Sequence, residues 1–194
     1  VVSGGRYGID ASTTNGNGVE VNATNASGTA SVTGGQTGIR AMVDAGGGRG
    51  VTITADNVSG GIGIDSRTQT GGTYVNVTTN GTVTGTTGNG INAVNNGTDG
   101  ISITSTNTDG TAQVTGAQNG IFADNNNCGD VTISANTVTG TAADGIYVNN
   151  NTAGWYVSRP TPGPVLGWEE RFEIPNERKG SLTVKKDAPY SNGS

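Results

Sequence analysis

The residues of this chain best placed to do chemistry form one series: Asp10, Arg40, Asp65, Asn92, Phe122 and Tyr147. Each follows an Ile that itself follows a Gly. Two carboxylates with a guanidinium between them are groups that a polysaccharide-cleaving site uses for acid–base work. Phe122 and Tyr147 would add an aromatic platform for sugar rings. Asp10, Arg40, Asp65, Phe122 and Tyr147 are therefore the candidate ligand-binding surface. The plainer reading is a ladder, in which Asp10, Arg40 and Asp65 alternate in sign and Phe122 stacks on Tyr147, fixing register. A pectin-cleaving enzyme would want clustered acids with calcium ligands or a basic residue beside them. Before residue 154 the chain holds no Lys and no His, and its only Glu is Glu20. The ladder reading predicts no catalysis.

The elements that must position this series are repeats. Gly-Ile-x-(Ala/Ser/Val) recurs from Gly8-Ile9-Asp10-Ala11 to Gly145-Ile146-Tyr147-Val148 at intervals of 30, 25, 27, 30 and 25 residues. Between successive copies stands an alternating pair: Val19/Val21, Val51/Ile53, Val75/Val77, Ile101/Ile103 and Val131/Ile133. Then comes Val-(Thr/Ser)-Gly, as at Val32-Thr33-Gly34 and Val114-Thr115-Gly116. Val2-Ser3-Gly4 fits the close of an earlier coil, so the chain reads as a piece of something longer. Three short β-branched strands per unit, parted by Gly- and Asn-rich turns, describe a rung of a parallel β-solenoid. Because side chains alternate along a strand, the Ile and Val residues point inward and stack on their equivalents. The crossover rule makes the coil right-handed. The expected fold is an all-β, right-handed parallel β-helix of about five or six rungs over residues 1–153.

Composition agrees. The 194 residues include 35 Gly, 30 Thr and 22 Asn, types that disfavour helix. The net charge of −5 and sparse basic residues leave no footprint for nucleic acid. The lone Cys128 excludes a disulfide within the chain, and the absence of His removes the commonest metal ligand. Gly60-Gly61-Ile62-Gly63-Ile64-Asp65 matches the start of a calcium-binding nonapeptide. It stands alone, whereas such sites need tandem copies, so no metal and no cofactor is implied. The outward Thr residues of the second and third strands form columns like those of an ice-binding surface, interrupted by Glu20, Asn57, Asn76 and Gln113.

Residues 154–194 differ, holding 11 of the 25 charged residues, all the Lys and both Trp. They read as a cap or extension, with a β-hairpin at about 171–185. Trp155, Trp168 and Phe172 are large enough to cover an open solenoid end, which would otherwise invite end-to-end self-association.

The grammar of Val51-Thr52-Ile53-Thr54-Ala55 and Val131-Thr132-Ile133-Ser134-Ala135, set between Gly-Ile-x-Ala and Val-Thr-Gly, resembles autotransporter (type V secretion) passenger repeats and filamentous bacterial adhesins. The resemblance implies a structural stalk secreted or displayed at the bacterial outer membrane. It further implies a parent chain carrying an outer-membrane barrel. The partners it implies are host-cell or neighbouring-cell surface molecules or glycans. A polysaccharide-binding β-helix and an ice-binding solenoid are the alternatives.

Overall fold

The computed structural model describes residues 1–14, 17–44, 48–69, 72–127 and 129–151, and the backbone of strands Trp155–Ser158 and Leu182–Val184. With strands numbered along the chain, every described pairing is parallel, and the strands fall into three sheets. The first sheet stacks β1 (Val2–Gly4), β4 (Ser31–Gly34), β7 (Asn57–Gly60), β10 (Thr82–Gly85), β13 (Gln113–Gly116) and β16 (Thr137–Gly140). The second stacks β2 (Tyr7–Thr13), β5 (Thr37–Val43), β8 (Ile62–Thr68), β11 (Ile91–Asn95), β14 (Ile121–Asn125) and β17 (Ile146–Asn150). The third stacks β3 (Val19–Ala23), β6 (Val51–Ala55), β9 (Val75–Thr79), β12 (Ile101–Ser105), β15 (Val131–Ala135), β18 (Trp155–Ser158) and β19 (Leu182–Val184). The chain visits each sheet once per turn, which is a β-solenoid of three strands per rung.

The motif alignment is the observed register. Ile39 pairs with Ile64, Ile64 with Ile91, Ile91 with Ile121 and Ile121 with Ile146. The first four of these are fully buried. Val32, Val58, Val83, Val114 and Val138 stack likewise from the first sheet, and Val51, Val75, Ile101 and Val131 from the third. The core is thus a set of aliphatic columns running along the axis, each rung covering the one beneath.

The corner between the first and second sheets explains both glycine positions of the motif. The Gly before each of the first five motif Ile residues lies against the Val of the next coil, close enough that a Cβ at Gly38 would sit 2.4 Å from Val58 Cγ1. The Gly that ends Val-Thr-Gly faces the opposite side of the same bend, where a Cβ at Gly34 would fall 1.9 Å from Thr37 O. These are close approaches of backbone, which only Gly permits.

Corners of different length are sealed by side chains. The longer turns at Asn25–Ala30 and Asn107–Ala112 carry Gly28 and Gly110 at φ of 65° and 68°. Buried Asp56 accepts through Oδ2 from the backbone N of Asn25 and of Ala30, both at 3.1 Å. Asn136 accepts from the N of Asn107 at 3.0 Å in the matching place. The two turns stand 82 residues apart, as do Gly8 and Gly90, Gly38 and Gly120, and Gly63 and Gly145. Three rungs therefore make a higher-order unit.

In the inward column Ala11, Ala41, Ser66, Ala93 and Ala123, Ser66 alone carries a hydroxyl. Its Oγ is buried and, among the described residues, has no hydrogen-bond partner. A buried polar group without a partner destabilises a fold by roughly 1–3 kcal/mol. Ser66→Ala should therefore stabilise the solenoid by about 1 kcal/mol in urea unfolding. A loss of stability would mean that the hydroxyl is satisfied.

Pairing continues past residue 153. Trp155 aligns with Val131 and Val157 with Ile133, extending the third sheet, and Leu182 then aligns with Trp155. Strand β19 lies within the second arm of the expected hairpin and pairs in parallel with β18. The first arm, around Arg171–Ile174, lies outside the described residues, as do Trp168, Phe172 and Cys128.

Candidate functional site

The outer face of the second sheet carries the series with which the sequence began. Strand register sets Asp10 beside Arg40, Arg40 beside Asp65, Asp65 beside Asn92, Asn92 beside Phe122 and Phe122 beside Tyr147. The column is continuous because each member stands one place after an inward Ile. At about 4.8 Å per rung, its two ends lie roughly 24 Å apart.

At the upper end Arg40 Nη1 donates to Asp10 Oδ1 at 2.9 Å, with both side chains partly exposed. The Arg40 guanidinium also lies 5.4 Å from the Tyr7 ring centroid, and that of Arg6 lies 4.9 Å from it. Arg6 Nε donates to Gln36 Oε1 at 2.9 Å. Asp65 does not share Arg40, contrary to the simple alternation of sign. Its Oδ1 accepts from Arg67 Nε and from Asn92 Nδ2, each at 2.7 Å. Arg67 stands two residues along the same strand and so on the same face. Its reach is local, whereas Arg40 would have to cross a rung. Asp65 is thereby covered to 7 % exposure.

At the lower end Phe122 and Tyr147 stack with ring centroids 5.1 Å apart and planes within 4°. One face of each ring is covered by the other, and Tyr147 stands on the last strand of this sheet. The site brings the candidate residues into one column, where Asp10 joins Arg40, Asp65 joins Asn92 and Phe122 joins Tyr147 as separate pairs. Asp10 and Asp65 lie two rungs apart, about 10 Å, with Arg40 between them. What such an arrangement does chemically is tie adjacent rungs together.

A second outward column was not singled out by sequence: Ser12, Met42, Arg67, Val94, Asp124 and Asn149. Its signal is the residue two places beyond each member of the first. Here Asn149 Nδ2 donates to Asp124 Oδ1 at 2.8 Å, again across a rung. Inside the coil, Asn95 Nδ2 donates to Asn125 Oδ1 at 3.0 Å and Asn125 Nδ2 to Asn150 Oδ1 at 3.1 Å. Thr68 Oγ1 donates to Asn95 Oδ1 at the head of this buried ladder.

The hydroxyl columns also fall in register, with Thr33, Ser59, Thr84, Thr115 and Thr139 on the first sheet. Asn57 and Gln113 interrupt the neighbouring column there, and Glu20 and Asn76 one on the third sheet. The Gly60–Asp65 segment bends from β7 into β8, and its carboxylate is already bound to Arg67 and Asn92. Among the described residues no group of three His, Cys, Asp or Glu side chains converges. A recess lined by Asn80, Thr106, Asn107 and Thr108 lies on another face. No protein-family model matches the chain, and neither a curated protein nor a solved structure matches it.

Proposed function

We propose that this solenoid is a structural stalk of a secreted or surface-displayed bacterial adhesin, similar to an autotransporter passenger, and that it carries out no catalysis. The observation that supports this most is the direction of the outward contacts. Arg40–Asp10, Asn92–Asp65, Asn149–Asp124 and Phe122–Tyr147 each join one rung to the next, while Arg67–Asp65 stays within one strand. Side chains committed along the axis resist separation of rungs, which is the demand placed on a rod that holds another module away from a membrane. In this reading an outer-membrane barrel of a longer parent chain anchors the rod. Host-cell or neighbouring-cell surface molecules or glycans are then met by other parts of that parent.

The test has two arms. Purified chain applied to glycan arrays and cultured epithelial cells should give no saturable binding. Placed between a surface anchor and a small binding domain, it should act as a spacer. Inserting one 82-residue unit should lengthen the reach by three rungs, about 14 Å. Saturable glycan binding that disappears in Tyr147→Ala would replace the stalk with the polysaccharide-binding reading. Thermal hysteresis in solution would replace it with the ice-binding one.

A further inference from the structure

Four Asn-Gly pairs are flanked on both sides by described residues: Asn80-Gly81, Asn89-Gly90, Asn96-Gly97 and Asn119-Gly120. At such a pair the Gly nitrogen can attack the preceding side-chain amide, because Gly has no Cβ to hinder the approach. In three of the four pairs the nucleophile is engaged. Gly90 N donates to Asn119 O at 3.0 Å, Gly97 N to Asn95 Oδ1 at 3.1 Å and Gly120 N to Asp144 O at 3.0 Å. The amides they would attack are held as well. Asn89 Oδ1 accepts from Asn119 N at 3.1 Å, Asn96 Nδ2 donates to Thr68 O at 3.0 Å and Asn119 Oδ1 accepts from Asp144 N at 3.1 Å.

Asn80 differs. It is exposed at the recess it shares with Thr106, Asn107 and Thr108. Its main chain is anchored, with N donating to Ala55 O at 3.2 Å and O accepting from Asn107 Nδ2 at 3.0 Å. Among the described residues, neither its side-chain amide nor the Gly81 N–H has a hydrogen-bond partner.

We propose that Asn80 is a site of spontaneous deamidation through a succinimide formed with Gly81. The Gly81 nitrogen gives its proton to solvent and bonds to Asn80 Cγ. The Cγ–Nδ2 bond breaks and ammonia leaves. Water then opens the ring at either carbonyl, giving Asp or isoAsp. Water is consumed, ammonia is released and nothing is oxidised. The isoAsp product routes the main chain through the side-chain methylene. It therefore lengthens the link between β9 and β10 at the corner where Asn107 is bound.

The full folded chain, incubated in mildly alkaline buffer and digested for peptide mapping by mass spectrometry, tests this. The Asn80 peptide should acquire the mass change of NH2 to OH at least about tenfold faster than the peptides bearing Asn89, Asn96 and Asn119. A held site must first open locally, and ~1.4 kcal/mol of opening is that factor. In guanidinium the four rates should converge. Asn80→Gln should abolish conversion at this position without changing the thermal melt. Equal rates in the folded chain, or a spread that survives unfolding, would overturn the proposal.

Discussion

Gly38→Ala should lower the midpoint of thermal unfolding by about 6–12 °C, as about 3 kcal/mol of lost stability does in a chain of this size. The added Cβ would lie 2.4 Å from Val58 Cγ1, 2.7 Å from Gly63 O and 2.8 Å from Ser59 O. Overpacking a filled core usually destabilises by about 1–3 kcal/mol, and relief comes from side chains that can move aside. Here Val58 is buried in its own column, and the two oxygens are main-chain atoms at the corner between neighbouring coils. The expected effect is therefore at the top of that range. The same geometry recurs at Gly8, Gly63, Gly90 and Gly120, where the Cβ would come within 2.7 Å of the equivalent Val Cγ1. Gly5→Ala is the control, since a Cβ there meets nothing within 4 Å. It should melt with the parent. If Gly38→Ala does so too, the corner packing described above is wrong.

That corner also shows how far the sequence could be read. The spacing of Gly-Ile-x-Ala, with the Val/Ile pair and Val-Thr-Gly between its copies, was enough to give the rungs, the three sheets and the strand register, because each motif marks the same place on a coil. The outward column from Asp10 to Tyr147 followed from that register. Its internal pairing did not. Arg40 has acidic residues on both sides, and alternation alone cannot say that Arg67 will take Asp65 from within one strand. The buried ladder Asn95–Asn125–Asn150 was also hidden, although each member stands four places after a motif Ile. In a chain with 22 Asn, a further Asn before a turn carries no contrast. Strand β18 escaped for a related reason. Trp155-Tyr156-Val157-Ser158 lacks the alternating pair of Val or Ile that its predecessors carry and begins nine residues after Ile146. Its identity as a rung strand lies in its pairing with β15, which only the three-dimensional arrangement reveals.

The Asn ladder should carry the second large effect: Asn125→Ala is expected to destabilise the chain by about 3 kcal/mol. Asn125 is fully buried in β14. Its Oδ1 accepts from Asn95 at 3.0 Å, and its Nδ2 donates to Asn150 Oδ1 at 3.1 Å and to Gly129 O at 2.9 Å. Each net hydrogen bond contributes about 1 kcal/mol, and the groups left behind are deprived of a partner where water is scarce. Two further variants separate this from a simple cavity. Val43 occupies the same inward column one rung above Thr68, so a buried Val fits the space. Asn125→Val should consequently remain nearly as unstable as Asn125→Ala, because the volume is restored and the hydrogen bonds are not. Recovery in the Val variant would make the loss one of packing and refute the ladder. Asn95→Ala and Asn125→Ala together should fall short of the sum of the two, since the bond between them can be lost only once. Finally, solenoid stability is set largely by interfaces between neighbouring rungs. Amide exchange in Asn125→Ala should therefore rise in β11, β14 and β17 before it rises in β2 and β5. Uniform loosening along the rod would instead mean that the rungs unfold as one unit.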